Sequence, residues 1–287
     1  MVRKNPRYKN PRMADNLHSK HKRASSLASS GLFFLLVFLL SIPLYVLGAH
    51  GSRLPIATFL PLSALMTFIP MIAALVLVTR ERGTRGTRRL LARALDYRRI
   101  RGVAWLLATL LLMPIMALLA YGVLQIEART LPDAQFFPVA KIVAFFLMFF
   151  IGAVGEELGW QGYAYARLKN GMSAINAALL IGVIWALWHV IPYIQLGRSA
   201  GWIVWQCLGT IALRVIMVWL FVNAGQSVFV AVLFHTMINM PWGLVQNYAS
   251  FYDSQAMFVI LALVAGIVAA LWGPSTLARS RHFPRRP

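Results

Sequence analysis

Two adjacent glutamates, Glu156 and Glu157, lie in a stretch from Pro138 to Ala166 that is otherwise apolar enough to cross a lipid bilayer. A charged side chain at the centre of a membrane costs about 2.5 kcal/mol or more even on lenient insertion scales, so the pair needs a specific reason to be there. The possible reasons are catalysis, ion passage or a structural ion pair. Because successive helical side chains point about 100° apart, we expect one carboxylate to face a cavity and the other a neighbouring helix.

A few other polar side chains interrupt apolar segments and are candidates for chemistry: Gln161, His189, Arg214, His235 and Asn239. A glutamate can act as general base on water while histidines bind the water or the developing oxyanion. Alternatively, Glu156, His189 and His235 can hold a divalent metal such as zinc, which lowers the pKa of bound water. Asn239, one helical turn from His235, can donate its amide N–H to a tetrahedral intermediate. These are the parts of a peptide-bond hydrolase.

Membrane-spanning helices must position these side chains, because the composition is that of an integral membrane protein. Hydrophobic residues make up 59% of the 287 residues, charged residues make up 13%, and the mean hydropathy is +0.67. Apolar segments near the spanning length of about 20 residues predict an all-α fold, a polytopic transmembrane helix bundle of about eight spans. The predicted spans are approximately 31–50, 54–78, 103–124, 138–166, 173–194, 201–222, 227–249 and 256–273.

The basic residues are concentrated between and outside these segments. Residues 1–30 carry eight Lys or Arg, residues 80–101 carry nine Arg, and 23 of the 28 basic residues fall on one predicted side of the membrane. Positive charge marks the cytoplasmic side, so we expect both termini in the cytoplasm and a location in a bacterial cytoplasmic membrane. The predicted organisation is a basic cytoplasmic tail (1–30), a transmembrane protease domain (31–273) and a basic C-terminal tail (274–287).

The same charge distribution decides which partners the sequence predicts. A net charge of +20 would suit nucleic acid, but no basic face lies on a soluble domain, so the expected partner is the lipid bilayer. Residues 1–30 are predicted to be a disordered tail. In the second basic stretch, Leu90, Leu91, Ala94 and Leu95 recur at helical spacing, which predicts an amphipathic helix on the inner leaflet.

Three motifs in separate apolar segments resemble one known family. They are Glu-Glu-Leu-Gly-Trp-Gln-Gly-Tyr at 156–163, Trp-Ala-Leu-Trp-His at 185–189, and Phe-His-Thr-Met-Ile-Asn at 234–239. Their order resembles the successive motifs of the CPBP (ABI) family of CAAX prenyl endopeptidases and bacteriocin-processing intramembrane proteases. The resemblance covers about residues 31–250, and the specific motifs are confined to 155–239.

The resemblance implies an intramembrane endopeptidase that cleaves a membrane-associated protein or peptide of unknown identity. It implies that Glu156 activates water, that His189 and His235 position the water or stabilise the intermediate, and that Asn239 serves the oxyanion. Glu157 is then a supporting carboxylate. Members of the family are described both as metalloproteases and as metal-independent glutamate proteases, so the resemblance leaves the cofactor open between a divalent metal and none.

The sequence departs from the family pattern at one position. The family typically has Glu-Glu-x-x-x-Arg, whereas residue 161 here is Gln, which removes the cation one turn from Glu157. A buried carboxylate without a partner tends to take up a proton or lose its orientation. We therefore expect Arg214, from the sixth segment, to supply the missing cation. The alternative is that Arg214 snorkels to an interface.

Other interpretations stay open at this point. The departure at Gln161 suits an inactive membrane scaffold or bacteriocin-immunity protein of the same fold, and intramembrane Glu, His and Arg also form relays in ion or proton carriers. The tryptophans of these segments, Trp160, Trp185 and Trp188 among them, are predicted to be core or interface anchors. At about 1.5 Å per residue, His189 falls on the opposite side of the midplane from Glu156 and His235, so tilt or a kink must bring it closer.

Overall fold

The fold is a bundle of long apolar helices. The computed structural model describes residues 11–51, 53–54, 57–126, 138–244 and 252–278. The helices are α1 (Pro11–Ala49), α2 (Ile69–Ala92), α3 (Val103–Ile126), α4 (Val139–Glu157), α5 (Ala166–Leu168), α6 (Ala174–Gln195), α7 (Ala200–Asn223), α8 (Val228–Leu244) and α9 (Ser254–Trp272). A π-helical segment, Leu158–Tyr165, joins α4 to α5, so that the chain stays helical from Val139 to Leu168.

Among the described residues, seven helical stretches are long and apolar enough to cross a membrane, and Val228–Trp242 in α8 is a shorter apolar helix. These eight stretches correspond to the eight predicted spans. The helical bundle is therefore confirmed, and the chain is an integral membrane protein. Residues 245–249, at the end of the seventh predicted span, lie outside the described residues.

The second predicted span, 54–78, begins differently from the prediction. A short antiparallel hairpin, β1 (Arg53–Leu54) with β2 (Ala57–Pro61), precedes a 3₁₀ turn over Leu62–Phe68, and α2 starts only at Ile69. Pro61 is the last residue of β2, and Pro70 lies in the first turn of α2, where a missing N–H is tolerated. Hydrophobicity alone does not distinguish an apolar strand from an apolar helix.

The segments near both ends of the chain have structure that the sequence did not predict. Helix α1 begins at Pro11, so residues 11–30 are helical rather than disordered, because a helix already nucleated by the apolar segment is extended at little cost. Residues 1–10 and 279–287 lie outside the described residues. At the start of α6, the amides of Ala174 and Ile175 donate to the carbonyls of Ser275 and Pro274, so the segment after α9 caps that helix.

The basic stretch 80–101 also has its own structure. Helix α2 is interrupted at Gly83, where φ is 61° and ψ is −163°. Of the predicted apolar stripe, Leu90 is buried, whereas Leu91 and Leu95 are exposed. Ala94 is partly buried against the core, so the stripe packs into the bundle at Leu90 and Ala94 and leaves the other two positions on the surface.

The Arg-rich loop after α2 fastens the turn between α7 and α8. Arg93 donates to the carbonyl of Gln226 at 2.7 Å, and Arg99 donates to the carbonyl of Gly225 at 3.3 Å. Asp96 Oδ1 accepts from the Ser227 hydroxyl at 2.7 Å and from the Phe229 amide at 3.1 Å. In the first turn of α8, this carboxylate satisfies the unpaired backbone N–H of Phe229, and the Ser227 hydroxyl accepts from that of Val230 at 3.4 Å. The loop thus fixes the helix that carries His235.

Two glycines let helices approach closely near the glutamates. A Cβ at Gly159 would lie 2.5 Å from the backbone of Pro70, at the start of α2, and a Cβ at Gly182 would lie 3.0 Å from the Ile211 Cα in α7. Small residues at helix contacts allow such close packing within a membrane. These contacts hold the α4–π segment against α2, and α6 against the turn of α7 that carries Arg214.

Candidate active site

Glu156 is held by three uncharged donors from three different segments. The Thr67 hydroxyl donates to Oε1 at 3.2 Å, and the indole N–H groups of Trp160 and Trp185 donate to Oε2 at 3.3 and 2.6 Å. The residue is 5% exposed. A carboxylate has about four lone-pair sites, so three donors leave one site free. The side chain is therefore fixed without an adjacent cation in this set of contacts.

Local backbone structure explains how two of these donors reach Glu156. Trp160 lies in the π-helical segment, four residues after Glu156, and its buried indole folds back along the helix. The contact of Gly159 with Pro70 brings the preceding 3₁₀ turn against α4, where the Thr67 hydroxyl also donates to the carbonyl of Gly152 at 3.0 Å. π-Helical turns within α-helices are frequent at functional sites.

Glu157 is held by charge, in contrast. Arg214 NH1 donates to Oε2 at 2.8 Å and NH2 donates to Oε1 at 3.2 Å, and neither side chain is exposed. The His235 Nδ1 lies 2.9 Å from Oε1. Because an ionised carboxylate only accepts, Nδ1 donates, and Nε2 of His235 is directed away from Glu157. The predicted contact between Arg214 and Glu157 is present as a two-bond ion pair.

Trp185 lies at the centre of the cluster. The Arg214 guanidinium lies over its ring, 4.2 Å from the ring centroid. The rings of His189 and His235 lie 5.6 and 5.2 Å from the same indole, both nearly perpendicular to it. The close approach of α7 at Gly182, three residues before Trp185, places Arg214 beside this ring.

His189 is half-buried, and its Nδ1 lies 2.8 Å from the carbonyl of Trp185. A carbonyl oxygen only accepts, so Nδ1 carries the proton and Nε2 of the neutral ring is an acceptor. The two histidines contact one indole, although the count of residues along each helix separates them in depth. Trp185 precedes His189 by one turn, and both imidazole rings lie against its indole.

Asn239 follows His235 by one helical turn and is half-buried. Within the described ranges its side chain makes no hydrogen bond, so its amide is available as a donor. Gln161 is fully buried, and neither its Oε1 nor its Nε2 has a partner among the described residues. The residue that replaces the family's arginine therefore does not contact Glu157 through a hydrogen bond among the described residues, and Arg214 supplies a guanidinium there instead.

The metal set offered by the sequence, Glu156, His189 and His235, is not assembled in this arrangement. In the described part of the chain, no three His, Cys, Asp or Glu side chains are grouped so that they could hold a metal ion. Hydrogen bonds explain why: both oxygens of Glu156 accept from neighbouring donors, and Glu157 fixes the ring of His235. These side chains, as placed, do not fit a metal ion.

Sequence reasoning missed three of the residues that hold Glu156, namely Thr67, Trp160 and Trp185. Trp160 and Trp185 were predicted to be core residues or anchors, and both are indeed buried. A signal was present, since Trp160 follows Glu156 by four residues and Trp185 precedes His189 by four, the spacing that places side chains on one helix face. No comparable signal marks Thr67, which reaches the site through tertiary packing.

Comparison with known proteins agrees with the motifs. Residues 138–241 match the family described as type II CAAX prenyl endopeptidase Rce1-like. The chain is also 24% identical, over 253 residues, to CAAX prenyl protease 2 of Methanococcus maripaludis, and the match covers 81% of this chain and 92% of that protein. The family match includes all three motifs from which the resemblance was deduced, and that resemblance is therefore confirmed.

Proposed function

We propose that this protein is an intramembrane endopeptidase in which Glu156 activates the hydrolytic water. The observation that carries the proposal is the carboxylate of Glu156, which is nearly buried and, among the described residues, accepts hydrogen bonds only from Thr67 and two indoles, with a lone-pair site left over. A general base needs a fixed position and a free lone pair within reach of water. The match of residues 138–241 to endopeptidases supports the same assignment.

The water lies between two acceptors in this proposal. Glu156 offers its free lone pair and His189 offers Nε2, so that the two protons of one water molecule each have an acceptor. Glu156 takes a proton as the water oxygen attacks the carbonyl carbon of the scissile peptide bond. It then gives that proton to the leaving amine as the C–N bond breaks, which restores the carboxylate.

His235 and Asn239 stabilise the oxyanion of the tetrahedral intermediate. Glu157 accepts the Nδ1–H of His235, which supports a charged imidazolium whose Nε2–H donates to the oxyanion. The side-chain amide of Asn239, one turn later on α8, supplies a second donor. Arg214 acts on this half of the site through Glu157, and in this proposal it does not touch the substrate.

The proposed substrate is a C-terminal Cys-aliphatic-aliphatic-X peptide carrying a prenyl group on its cysteine. The support is the name of the relative, CAAX prenyl protease 2, whose alignment covers most of both chains. A prenyl group partitions into the bilayer, so it would bring the scissile bond to a site held within membrane-spanning helices. Hydrolysis would release the last three residues as a free peptide.

Purified protein in lipid nanodiscs would be given a peptide ending in farnesyl-Cys-Val-Ile-Met, and release of Val-Ile-Met would be followed by mass spectrometry. We expect turnover by the natural protein and a loss of at least about 10³-fold in Glu156→Gln. Equal turnover by both proteins would contradict the role of Glu156. Loss of activity on chelation, restored by zinc, would contradict the metal-independent scheme.

The same peptide with an unmodified cysteine tests the substrate class. We expect cleavage to depend on the farnesyl group, and equal cleavage of both peptides would favour a general membrane-associated peptide as substrate. Absence of cleavage of either peptide, and of a library of membrane-associated peptides, would favour the inactive scaffold or immunity protein.

A further inference from the structure

Trp185 contacts both halves of the proposed site. Its indole N–H donates to Glu156 at 2.6 Å, and the guanidinium of Arg214, which is paired with Glu157, lies 4.2 Å from its ring centroid. Its backbone carbonyl accepts from His189 at 2.8 Å. The ring is 4% exposed. One buried residue therefore touches the proposed base, the proposed water-binding histidine and the cation that holds the second carboxylate.

These contacts leave the indole little freedom. A hydrogen bond to an ionised carboxylate is stronger than one between neutral groups and fixes the direction of the N–H. A guanidinium near the ring is attracted to its electron-rich face, and this attraction is larger in a site without water. Rotation of the ring away from Arg214 would withdraw the N–H from Glu156, so the two interactions support the same orientation.

We infer that Trp185 is a positioning residue for the reaction, and that it sets the orientation of the Glu156 carboxylate according to the position of Arg214. The inference rests on the proposed function, in which Glu156 is the base. Trp160 donates to the same oxygen at the longer distance of 3.3 Å, along its own helix, and thus contributes less to that orientation. Trp185 thus connects the two carboxylates: it donates to Glu156 and packs against the Arg214 that is paired with Glu157.

Trp185→Phe removes the N–H and keeps an aromatic ring beside Arg214. We expect kcat for the farnesylated peptide to fall by roughly 10- to 100-fold with KM unchanged, because a hydrogen bond to a charged group is lost while the substrate contacts remain. Trp160→Phe should lower kcat by a smaller factor. An unchanged kcat in Trp185→Phe, or an equal loss in Trp160→Phe, would overturn the inference.

Ser41→Ala is the matched control for loss of a buried indole hydrogen bond, since Ser41 accepts from the indole of Trp188 at 2.8 Å. It leaves an indole N–H unpaired without touching Glu156. We expect it to lower the unfolding midpoint but to keep kcat within about threefold of the natural protein. If Ser41→Ala loses as much kcat as Trp185→Phe, the effect is one of general packing and the positioning role is wrong.

An indole spectrum separates failure of this inference from failure of the proposed function. In a ¹H–¹⁵N spectrum of the nine tryptophans, the Trp185 signal is identified by its loss in Trp185→Phe. We expect Glu156→Gln to move this signal upfield, because a neutral amide is a weaker acceptor than a carboxylate, and to leave the Trp188 signal in place. A signal that does not move overturns the link to Glu156, whatever the peptidase assay shows. If Glu156→Gln moves the signal but the natural protein cleaves no peptide, the link between Trp185 and Glu156 stands and the proposed function is refuted.

Discussion

Glu156 and Glu157 are neighbours in sequence, but they lie in two different environments. In the part of the chain that the structure describes, Glu156 accepts from a hydroxyl and two indoles, whereas Glu157 accepts from a guanidinium and an imidazole. Both are buried. In the proposed function this difference gives the two carboxylates separate roles: Glu156 stays available for chemistry, and Glu157 orients His235 and pairs with Arg214.

The donors also determine what a neutral amide would do at each position. At Glu156, the carbonyl of a glutamine can accept from both indoles while its NH₂ donates to the Thr67 hydroxyl, which is able to accept. At Glu157, both carboxylate oxygens accept from donors, so the NH₂ of a glutamine would face a donor of Arg214 or His235 in either orientation of the amide. The same substitution is therefore compatible with one environment and incompatible with the other.

The largest expected effect contrasts these two substitutions. Glu156→Gln should abolish peptide cleavage and change the free energy of unfolding by less than about 1 kcal/mol, because its hydrogen bonds can be kept. Glu157→Gln should cost about 3–5 kcal/mol, because it leaves Arg214 buried without a counter-charge. For both variants, the free energy of unfolding is measured by denaturant unfolding in detergent, and cleavage is measured with the farnesylated peptide. Comparable destabilisation by both variants would contradict the proposed division of roles.

Arg214→Gln removes the cationic partner of the same ion pair. It leaves the buried Glu157 carboxylate with His235 but without its guanidinium partner, and we expect a loss of stability of about 3–5 kcal/mol together with loss of activity. The matched control is Arg167→Gln, which breaks an Arg–Glu pair with Glu81 whose side chains are 14% and 31% exposed. An exposed pair of this kind contributes only about 0–1 kcal/mol.

A second substitution tests whether Arg214 replaces the arginine expected at position 161. We expect Gln161→Arg, added to Arg214→Gln, to restore part of the lost stability and activity, because residue 161 lies one turn from Glu157 on the same helix. The measurement is unfolding and peptide cleavage of the double variant against Arg214→Gln alone. If the double variant recovers neither property, the compensation hypothesis fails.

Gln161→Met is expected to raise stability. Both polar atoms of the buried Gln161 side chain are without partners among the described residues, and an unpaired buried polar group costs about 1–3 kcal/mol. Methionine has a similar volume and no polar amide, so part of that cost should be recovered. A higher unfolding midpoint with unchanged cleavage would support this reading, whereas a lower midpoint would show that the amide has a partner in the membrane-embedded protein.

Thr67→Val should have the smallest effect. It removes one neutral hydroxyl from Oε1 of Glu156 and from the carbonyl of Gly152 while it keeps the shape of the side chain. We expect a loss of about 1 kcal/mol in stability and a decrease of several-fold in kcat. If Thr67→Val lowers kcat as much as Trp185→Phe does, the hydroxyl and not the indole dominates the orientation of Glu156.

Several elements of the fold were accessible from the sequence, and the exceptions have physical causes. Spans were identified because a membrane requires long apolar helices, but apolarity does not distinguish the paired strands β1 and β2 from a helix. The disorder predicted for residues 11–30 was wrong, since a helix continues into a polar segment once it is nucleated. The pairing of Arg214 with Glu157 was foreseeable, because a buried carboxylate needs a cation and few cations lie within the spans.

The sequence by itself determined the membrane-spanning helical class, the two carboxylates, the two histidines, and the need for a cation at Glu157. These follow from side-chain chemistry and from the cost of charge in a bilayer. Only the tertiary structure decided which donors hold Glu156, that Gln161 has no partner among the described residues, and that Trp185 touches both halves of the site. Such contacts depend on how closely helices approach, which Gly159 and Gly182 permit, and no pattern within a single helix encodes the face of its neighbour.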